Sequence, residues 1–540
     1  MFRFKWGENP AKRRATIVKK IFTMLMLTLL VPFLVRVANT RTIRVPSDFP
    51  SIQEGIDNAN DDDTVLVSSG TYVERIDFKG KGILLTSVAG AESTVIDGDS
   101  AGTVVSFISG EDTTSVIQGF TITNGLVIWG GGGAGILCQA SSPRVLDNRV
   151  ISNTVNGYYG AGVACIEGSK ALIFHNIIAH NSVHSIFSRG AVMGAGIYCC
   201  KSSPIIISNV VADNALFAYD GEVLPTGAGI AVIDSSCPEI QNNLIVRNEA
   251  TYQDNGAGGG IGCLLLAGSL SIINNTIVGN KVGSNLGGGI SLALCNECHI
   301  EITNNILAEN SKGIYCYDAT PLILYNDFWV NEGGNFTGCP AGIGDTTWGL
   351  NCNGIPCDSF FNIFRDPAFA IDPEGEYYLS QIAAGQVEQS PCVDAGSASA
   401  ESLGLGCYTT RTDSVPDSEV VDMGFHYRAK TYDFVQDIPH FLVPRGFRLS
   451  QNYPNPFNST TLIRYQLPAI RDQQSAVSLK IYNVLGQKVR TLVNKRQTPG
   501  YYSVSWDARD DLGKEISSGI YFYRLKAGDF VEIKKTILLK

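Results

Sequence analysis

Between Gly135 and Asn331 the chain repeats one arrangement seven times. Each unit opens on a Gly and an aliphatic residue: Gly135-Ile136, Gly162-Val163, Gly196-Ile197, Gly229-Ile230, Gly260-Ile261, Gly289-Ile290 and Gly313-Ile314. An Asn follows 13–16 residues later, and a second Asn comes always five residues after the first. The pairs are Asn148 and Asn153, Asn176 and Asn181, Asn209 and Asn214, Asn243 and Asn248, Asn275 and Asn280, Asn305 and Asn310, and Asn326 and Asn331. A short β-rich period with one constant internal spacing and no helical pattern describes a solenoid. Parallel strands of successive coils lie about 4.8 Å apart, so equal positions stack into ladders. The aliphatic residue after each Gly then fills the interior. Asn at the bends bonds to backbone and to its neighbours in the stack. Gly is expected to permit the bend where a strand starts. The fold class that follows is all-β, a parallel β-helix.

The cysteines enter this register. Three residues after each Gly stand Cys138, Cys165, Cys199, Val232, Cys263, Leu292 and Cys316, in parity with the inward aliphatics. Alternation with Val and Leu marks these Cys as small buried hydrophobes. A disulfide between adjacent coils, such as Cys138 with Cys165, stays open at this spacing. Cys295-x-x-Cys298 has the form of half a zinc site, with no second pair beside it.

A chain of 540 residues exceeds one ordinary domain. Net charge is −10, and residues 1–40 hold eight basic and one acidic side chain, so the remainder stands near −17. That balance argues against nucleic-acid binding and suits divalent cations such as Ca²⁺. The basic stretch Ala11–Lys20 precedes an apolar run from Ile21 to Val35. Together they read as a secretory signal peptide over residues 1–40, with an uncleaved anchor as the alternative. No later run is long and apolar enough to span a bilayer after signal removal. Residues 41–430 are expected to form the solenoid, 431–446 a linker, and 447–540 a separate module. The expected address is the medium or the outer cell surface.

The segment from Ile43, IRVPSDFPSIQEGIDNANDDDTVLVSSGTYVERIDFKGKGILLTSVAGAESTVIDG, resembles the first coils of pectin-lyase-like right-handed β-helix proteins. That resemblance implies a short capping helix, here about Ser51–Asn60, over the open upper end. Asp366–Ser380, Ser390–Gly396 (SPCVDAG) and Val421–Tyr427 (VDMGFHY) look like the closing coils of secreted bacterial β-helix proteins. The Cys-rich stretch Gly338–Cys407 is expected to cover that lower end. Its Cys339, Cys352, Cys357, Cys392 and Cys407 are the disulfide candidates. After residue 446, alternating strands with frequent turn signals suggest a small β-sandwich. NYPNPFNSTTLIRYQLP (Asn452–Pro468), Val477–Val493 and Gly500–Lys540 are similar to the C-terminal sorting domain of type IX secretion substrates. They are similar also to the immunoglobulin-like domain of the flagellar hook-capping protein. The resemblance implies the secretion machinery as a partner; a plain Ig-like spacer is the alternative.

Each candidate chemistry needs its own set of side chains. Inverting pectin hydrolases of this fold use paired carboxylates in NTD, DD and HG motifs, and the coils carry no such set. The GTYVE of Gly70–Glu74 fits the opening motif of pectin methylesterases, but their QDT and DFIFG segments are missing, so it reads as structural. Lyases need a base and often Ca²⁺, and have no short signature. Two features remain. The residues before the second Asn form a column, Ser152, His180, Asp213, Arg247, Gly279 and Glu309. His180, Asp213 and Arg247 suit acid/base or uronate-binding chemistry, or else a solvated ladder of compensating charge. From the second Asn to the next Gly the chain takes nine, fifteen, fifteen, twelve, nine and then three residues. Insertions on one edge build the binding face of a solenoid. The loops 154–161, 182–195, 215–228 and 249–259 carry Tyr158, Tyr159, Tyr219, Asp220, Tyr252 and Asp254, with His184, Arg189 and Glu222 beside them. Aromatics next to carboxylates suit sugar binding or cation coordination; the alternative is that they hold the loops down. The leading expectation is a secreted or surface protein that binds carbohydrate or a surface partner. The others are a lyase or hydrolase on acidic polysaccharide, and a structural adhesin.

Overall fold

The computed structural model describes residues 40–128, 132–185, 190–218, 223–251, 258–266, 268–283, 286–295, 298–346, 349–372, 375–429, 447–449, 452, 455–468, 475–497, 500–528 and 530–539. Residues 1–39 of the expected signal and the linker 431–446 lie outside them. Among the described residues, parallel strands stack into sheets of eleven, ten, ten and six members along one right-handed β-helix. The coil around Cys199 shows the plan. Ile197–Cys200 lies in the third sheet, Ile205–Ile207 in the first, Val210–Ala212 in the second and Ala215–Phe217 in the fourth. Single residues in the left-handed region make the corners: Lys201 (φ 49), Ser208 (φ 56) and Asp213 (φ 54).

The paired glycines divide the work at the remaining corner. Gly194, at φ 60, makes the turn. Gly196 does not lie in the left-handed region; a Cβ there would sit 2.5 Å from the Gly229 carbonyl oxygen of the next coil and 3.0 Å from Asn214 Nδ2 of its own. The repeated Gly thus gives clearance between coils, where the sequence suggested bending.

Both Asn columns are buried ladders. Asn181 Nδ2 donates to Asn214 Oδ1 (3.0 Å), and Asn214 Nδ2 to Asn248 Oδ1 (2.9 Å). The same oxygens accept the next backbone amide, Asn181 N to Asn214 Oδ1 at 3.1 Å and Asn214 N to Asn248 Oδ1 at 3.1 Å. Aligned amides polarise one another along the stack. The first ladder runs one rung beyond the repeat: Asn326 Nδ2 donates to Asn362 Oδ1 (3.0 Å). Asn362 Nδ2 then donates to both carboxylate oxygens of Asp358, which closes the column on a pure acceptor.

Inward residues, such as Ile197, Cys199, Ile206 and Val211, are fully buried. The Cys column lies inside this core, and Cys138 faces Cys165, and Cys165 faces Cys199, in register. All fourteen cysteines are free thiols. The upper end is covered by the helix Ile52–Asp57, N-capped by Ser51. Glu74, the acid of GTYVE, accepts from Ile52 N (2.8 Å) and Gln53 N (2.9 Å), so it holds the first turn of that helix.

The lower end differs from expectation. Phe336, Cys339, Ile343 and Phe364 close the core. The rest of the irregular stretch instead lies against the flank of the solenoid. Leu379, Cys392, Val393, Met423 and Phe425 bury against Ala179, Ala212, Val246, Val278 and Ala308, outward residues of the second sheet. Residues 422–428 run back along the coils. Gly424 N donates to Asn304 O (2.8 Å), Asn274 Nδ2 to Asp422 O (2.9 Å), and His426 N to Asn242 Oδ1 (2.7 Å). Arg428 reaches Asp147 at 3.2 Å. Small outward residues on the second sheet leave room for this strap, and each large side chain it buries contributes roughly 1.5–3 kcal/mol.

The C-terminal module is antiparallel. Arg448–Leu449, Thr461–Leu467 and Gly500–Trp506 form one sheet; Lys488–Gln497, Ser475–Asn483, Gly519–Ala527 and Phe530–Leu538 form the other. Alternating residues, including Ile463, Leu479, Ile481, Trp506, Tyr523 and Leu525, make its core.

Candidate functional site

The four long loops begin as strands. Thr154–Asn156, Ser182–His184, Ala215–Phe217 and Glu249–Thr251 belong to the fourth sheet, with Leu126–Ile128 above and Lys281–Val282 below. Their middle residues Val155, Val183, Leu216 and Ala250 point inward and are buried. The flanking residues therefore point outward. They form two ladders, Thr154–Ser182–Ala215–Glu249 and Asn156–His184–Phe217–Thr251. A second small parallel sheet, Gly190–Met193 with Val223–Thr226, extends the two longest insertions.

The αL column borders this sheet. His180, Asp213 and Arg247 stand at φ 55, 54 and 53 on successive coils. The His180 side is exposed. Asp213 and Arg247 form a two-pronged pair, with Nε to Oδ1 at 2.9 Å and Nη2 to Oδ2 at 3.0 Å. That hydrogen bond, more than the charge itself, lifts the guanidinium above its ordinary value. Arg247 also reaches Tyr377 OH (3.4 Å) and Glu376 (3.8 Å) on the flank segment. Asp213 is thus committed to a cation, which removes it as a free base, and Arg247 ties the flank to the column. The structure brings these two together, and the exposed His180 is not part of that pair.

The aromatics split between two faces. Tyr159 stacks on Tyr198, centroids 4.3 Å apart and 13° between planes, over the outer side of the third sheet. Burial pushes both phenols up. Tyr158 is half-buried in the turn after Thr154–Asn156. Tyr219, Asp220, Tyr252 and Asp254 lie outside the described residues, as do Arg189 and Glu222. The outward ladder supplies a pair the repeat reading did not single out: His184 stacks on Phe217 at 4.6 Å and 14°. Partial burial lowers the His184 ring below its usual value. Rings stacked along the solenoid axis spend faces on each other and turn edges outward, so this sheet offers polar edges and ring rims more than open ring faces. The signal for the sheet was present: an apolar residue stands two places after five of the seven second Asn residues, at Val155, Val183, Leu216, Ala250 and Val282.

A group of three carboxylates lies elsewhere, at the start of the strap. Carboxylate oxygens of Asp394, Asp417 and Asp422 come within 4.8 Å of one another. Asp422 Oδ1 accepts from Asp394 N (2.7 Å), and Oδ2 from Gln381 Nε2 (3.1 Å) and the Thr410 hydroxyl. Asp417 Oδ2 accepts from Asp422 N (2.9 Å) and faces His426 Nε2 at 2.8 Å. Burial first, and Asp417 second, push the Asp422 carboxyl up to about 7. Donors already take both Asp422 oxygens and Asp417 Oδ2, and the Asp422–Asp417 contact suits a shared proton. Asp394 and Asp422 fall in SPCVDAG and VDMGFHY, which resemble closing coils, and Asp417 falls in neither; only the fold of the strap brings the three together.

Residues 81–349 match the family described as right handed beta helix region, and residues 461–529 match the FlgD Ig-like domain. No curated protein matches the chain. Among solved structures, the dimeric latent PorU from Porphyromonas gingivalis is similar at 19% identity over 23% of this chain and 11% of its own, TM-score 0.15. PorZ, an essential bacterial surface component of the type-IX secretion system of Porphyromonas gingivalis, is similar at 16% identity over 25% of this chain and 15% of its own, TM-score 0.13. The chain therefore spans well under two thirds of either structure. By fold and by family match, it carries a right-handed β-helix region followed by a C-terminal FlgD-type Ig-like domain.

Proposed function

We propose that the protein is exported to the medium or the outer cell surface and binds a polysaccharide or surface partner across the fourth sheet and its loops. The observation that carries this reading is the distribution of the fourth sheet. It has six strands where the other three have ten or eleven, and it spans the coils with the long insertions. A solenoid adds such a layer on one edge where that edge has work to do beyond stacking. The outward ladders present hydroxyl, amide, imidazole and carboxylate groups at coil spacing, which matches a ligand with repeating polar units. His180 and the Asp213–Arg247 pair rim this face, with Tyr158 in the turn after Thr154–Asn156 and Tyr159 at the far edge; Tyr219, Asp220, Tyr252 and Asp254 join the proposal by their sequence position alone.

A glycan array probed with the chain tests this reading. Binding to an acidic or neutral polysaccharide is expected, with at least tenfold weaker binding after His184→Ser combined with Phe217→Ser. An array with no binding, or binding untouched by that variant, would overturn it. For the C-terminal module, the proposed role is sorting or attachment, supported by its motifs. Deleting residues 447–540 is expected to hold the protein in the periplasm; normal export of the truncated chain would contradict that role.

A further inference from the structure

The lower end of the core brings together two thiols that the repeat treats separately. Cys316 is the last member of the inward column, on the strand Ile314–Tyr317. That strand pairs with Phe336–Thr337, Ile314 facing Phe336 and Tyr315 facing Thr337, so strict register would set Gly338 beside Cys316. Gly338 instead turns, at φ 69, and a Cβ there would lie 2.0 Å from the Cys316 carbonyl oxygen. Only Gly fits that approach. The turn swings Cys339 over the column, and its Sγ lies 3.2 Å from Cys316 Sγ.

We propose that Cys316 and Cys339 are the oxidisable pair of this chain, and that their disulfide staples the last coil to the segment that closes the core. The sulfurs need to approach by roughly 1 Å to reach a bond of about 2.05 Å. The two sides are unequal. Cys339 is half-buried, so an oxidant can reach it, and the hydrogen bond from Cys316 favours its thiolate. Cys316 is buried, and that same bond and burial hold its proton. Cys339 is therefore the attacking sulfur. With glutathione disulfide as oxidant, its thiolate forms a mixed disulfide and releases one glutathione. Cys316 sulfur then displaces the second glutathione; the protein loses two hydrogens and the oxidant gains them. Cys138 and Cys165 also face each other, but both are fully buried, out of reach of an external disulfide.

The test uses the full chain, reduced, incubated with glutathione disulfide, then denatured and alkylated for peptide mass mapping. The expected product is a Cys316–Cys339 linked peptide two mass units lighter, with Cys138, Cys165, Cys199 and Cys263 alkylated. Alkylation of both Cys316 and Cys339, or a link from Cys339 to another cysteine, would overturn the proposal. The oxidised chain is also expected to melt a few degrees higher than the reduced chain. A Cys339→Ser variant should melt like the reduced protein with or without the oxidant; a shift that persists in this variant would assign the effect to other thiols.

Discussion

At the residue scale, the stability of the coils rests on Asn side chains that both give and accept along the stack. Asn214 shows why no near relative substitutes. Its Oδ1 accepts from Asn181 N and Nδ2, while its own Nδ2 donates to Ile178 O (2.9 Å) and Asn248 Oδ1. Aspartate keeps the shape and the acceptor but turns a second oxygen toward two acceptors in a buried site. An unsatisfied or repelled buried polar group costs about 1–3 kcal/mol, more when charged. Asn214→Asp is therefore expected to lower the unfolding free energy of the solenoid by several kcal/mol at neutral pH, read by chemical denaturation. A loss below about 0.5 kcal/mol would mean the ladder is ornamental to stability. The Asn pairs were the most legible feature of the sequence because stacking forces one residue type to recur at one spacing. Coils above Gly135 lack the pair, and so Thr42–Val45 through Val116–Gln118 join the first sheet without having shown a register in sequence.

At the element scale, the flank segment was the least legible part. It carries no repeat, and each of its contacts is set by the solenoid residue it meets. The closing-coil motifs placed it at the lower end, whereas small outward residues such as Ala179, Ala212 and Ala308 draw it along the second sheet. The fourth sheet was partly legible; three-residue strands beside long insertions read as loops, although their inward apolar residue recurs. The flank also buries acids. Burial pushes Asp327, which accepts from Arg365 N (3.1 Å) and contacts Cys392 Sγ (3.2 Å), up to about 7. An unfolded carboxyl titrates near about 3.9. Between those values the folded chain holds a proton that the unfolded chain has released. The stability from Asp327 is thus complete below about pH 4 and is lost as pH rises through about 7, and Asp422 acts in the same sense. Asp327→Asn removes one of these protons from the balance. Its melting temperature is expected to fall less than that of the parent chain between pH 4 and 7; an identical fall in both would contradict this assignment.

At the scale of the whole molecule, the architecture assigns separate tasks to separate surfaces. The flank seals the second sheet, the helix Ile52–Asp57 and the Phe336–Phe364 group close the ends of the core, and the fourth sheet is left as an added layer over the coils with long insertions. The candidate residues were legible as a column and a set of loops because insertion length and register are both readable. Their commitments were not, since Asp213–Arg247 and His184–Phe217 are pairings between coils about 34 residues apart in sequence. The most direct measurement of the central claim is hydrogen exchange of the full chain with and without a bound glycan. The account predicts added protection at Thr154–Asn156, Ser182–His184, Ala215–Phe217 and Glu249–Thr251 and their loops, with the flank segment unchanged. Protection centred on residues 369–428, or on the C-terminal module, would contradict it.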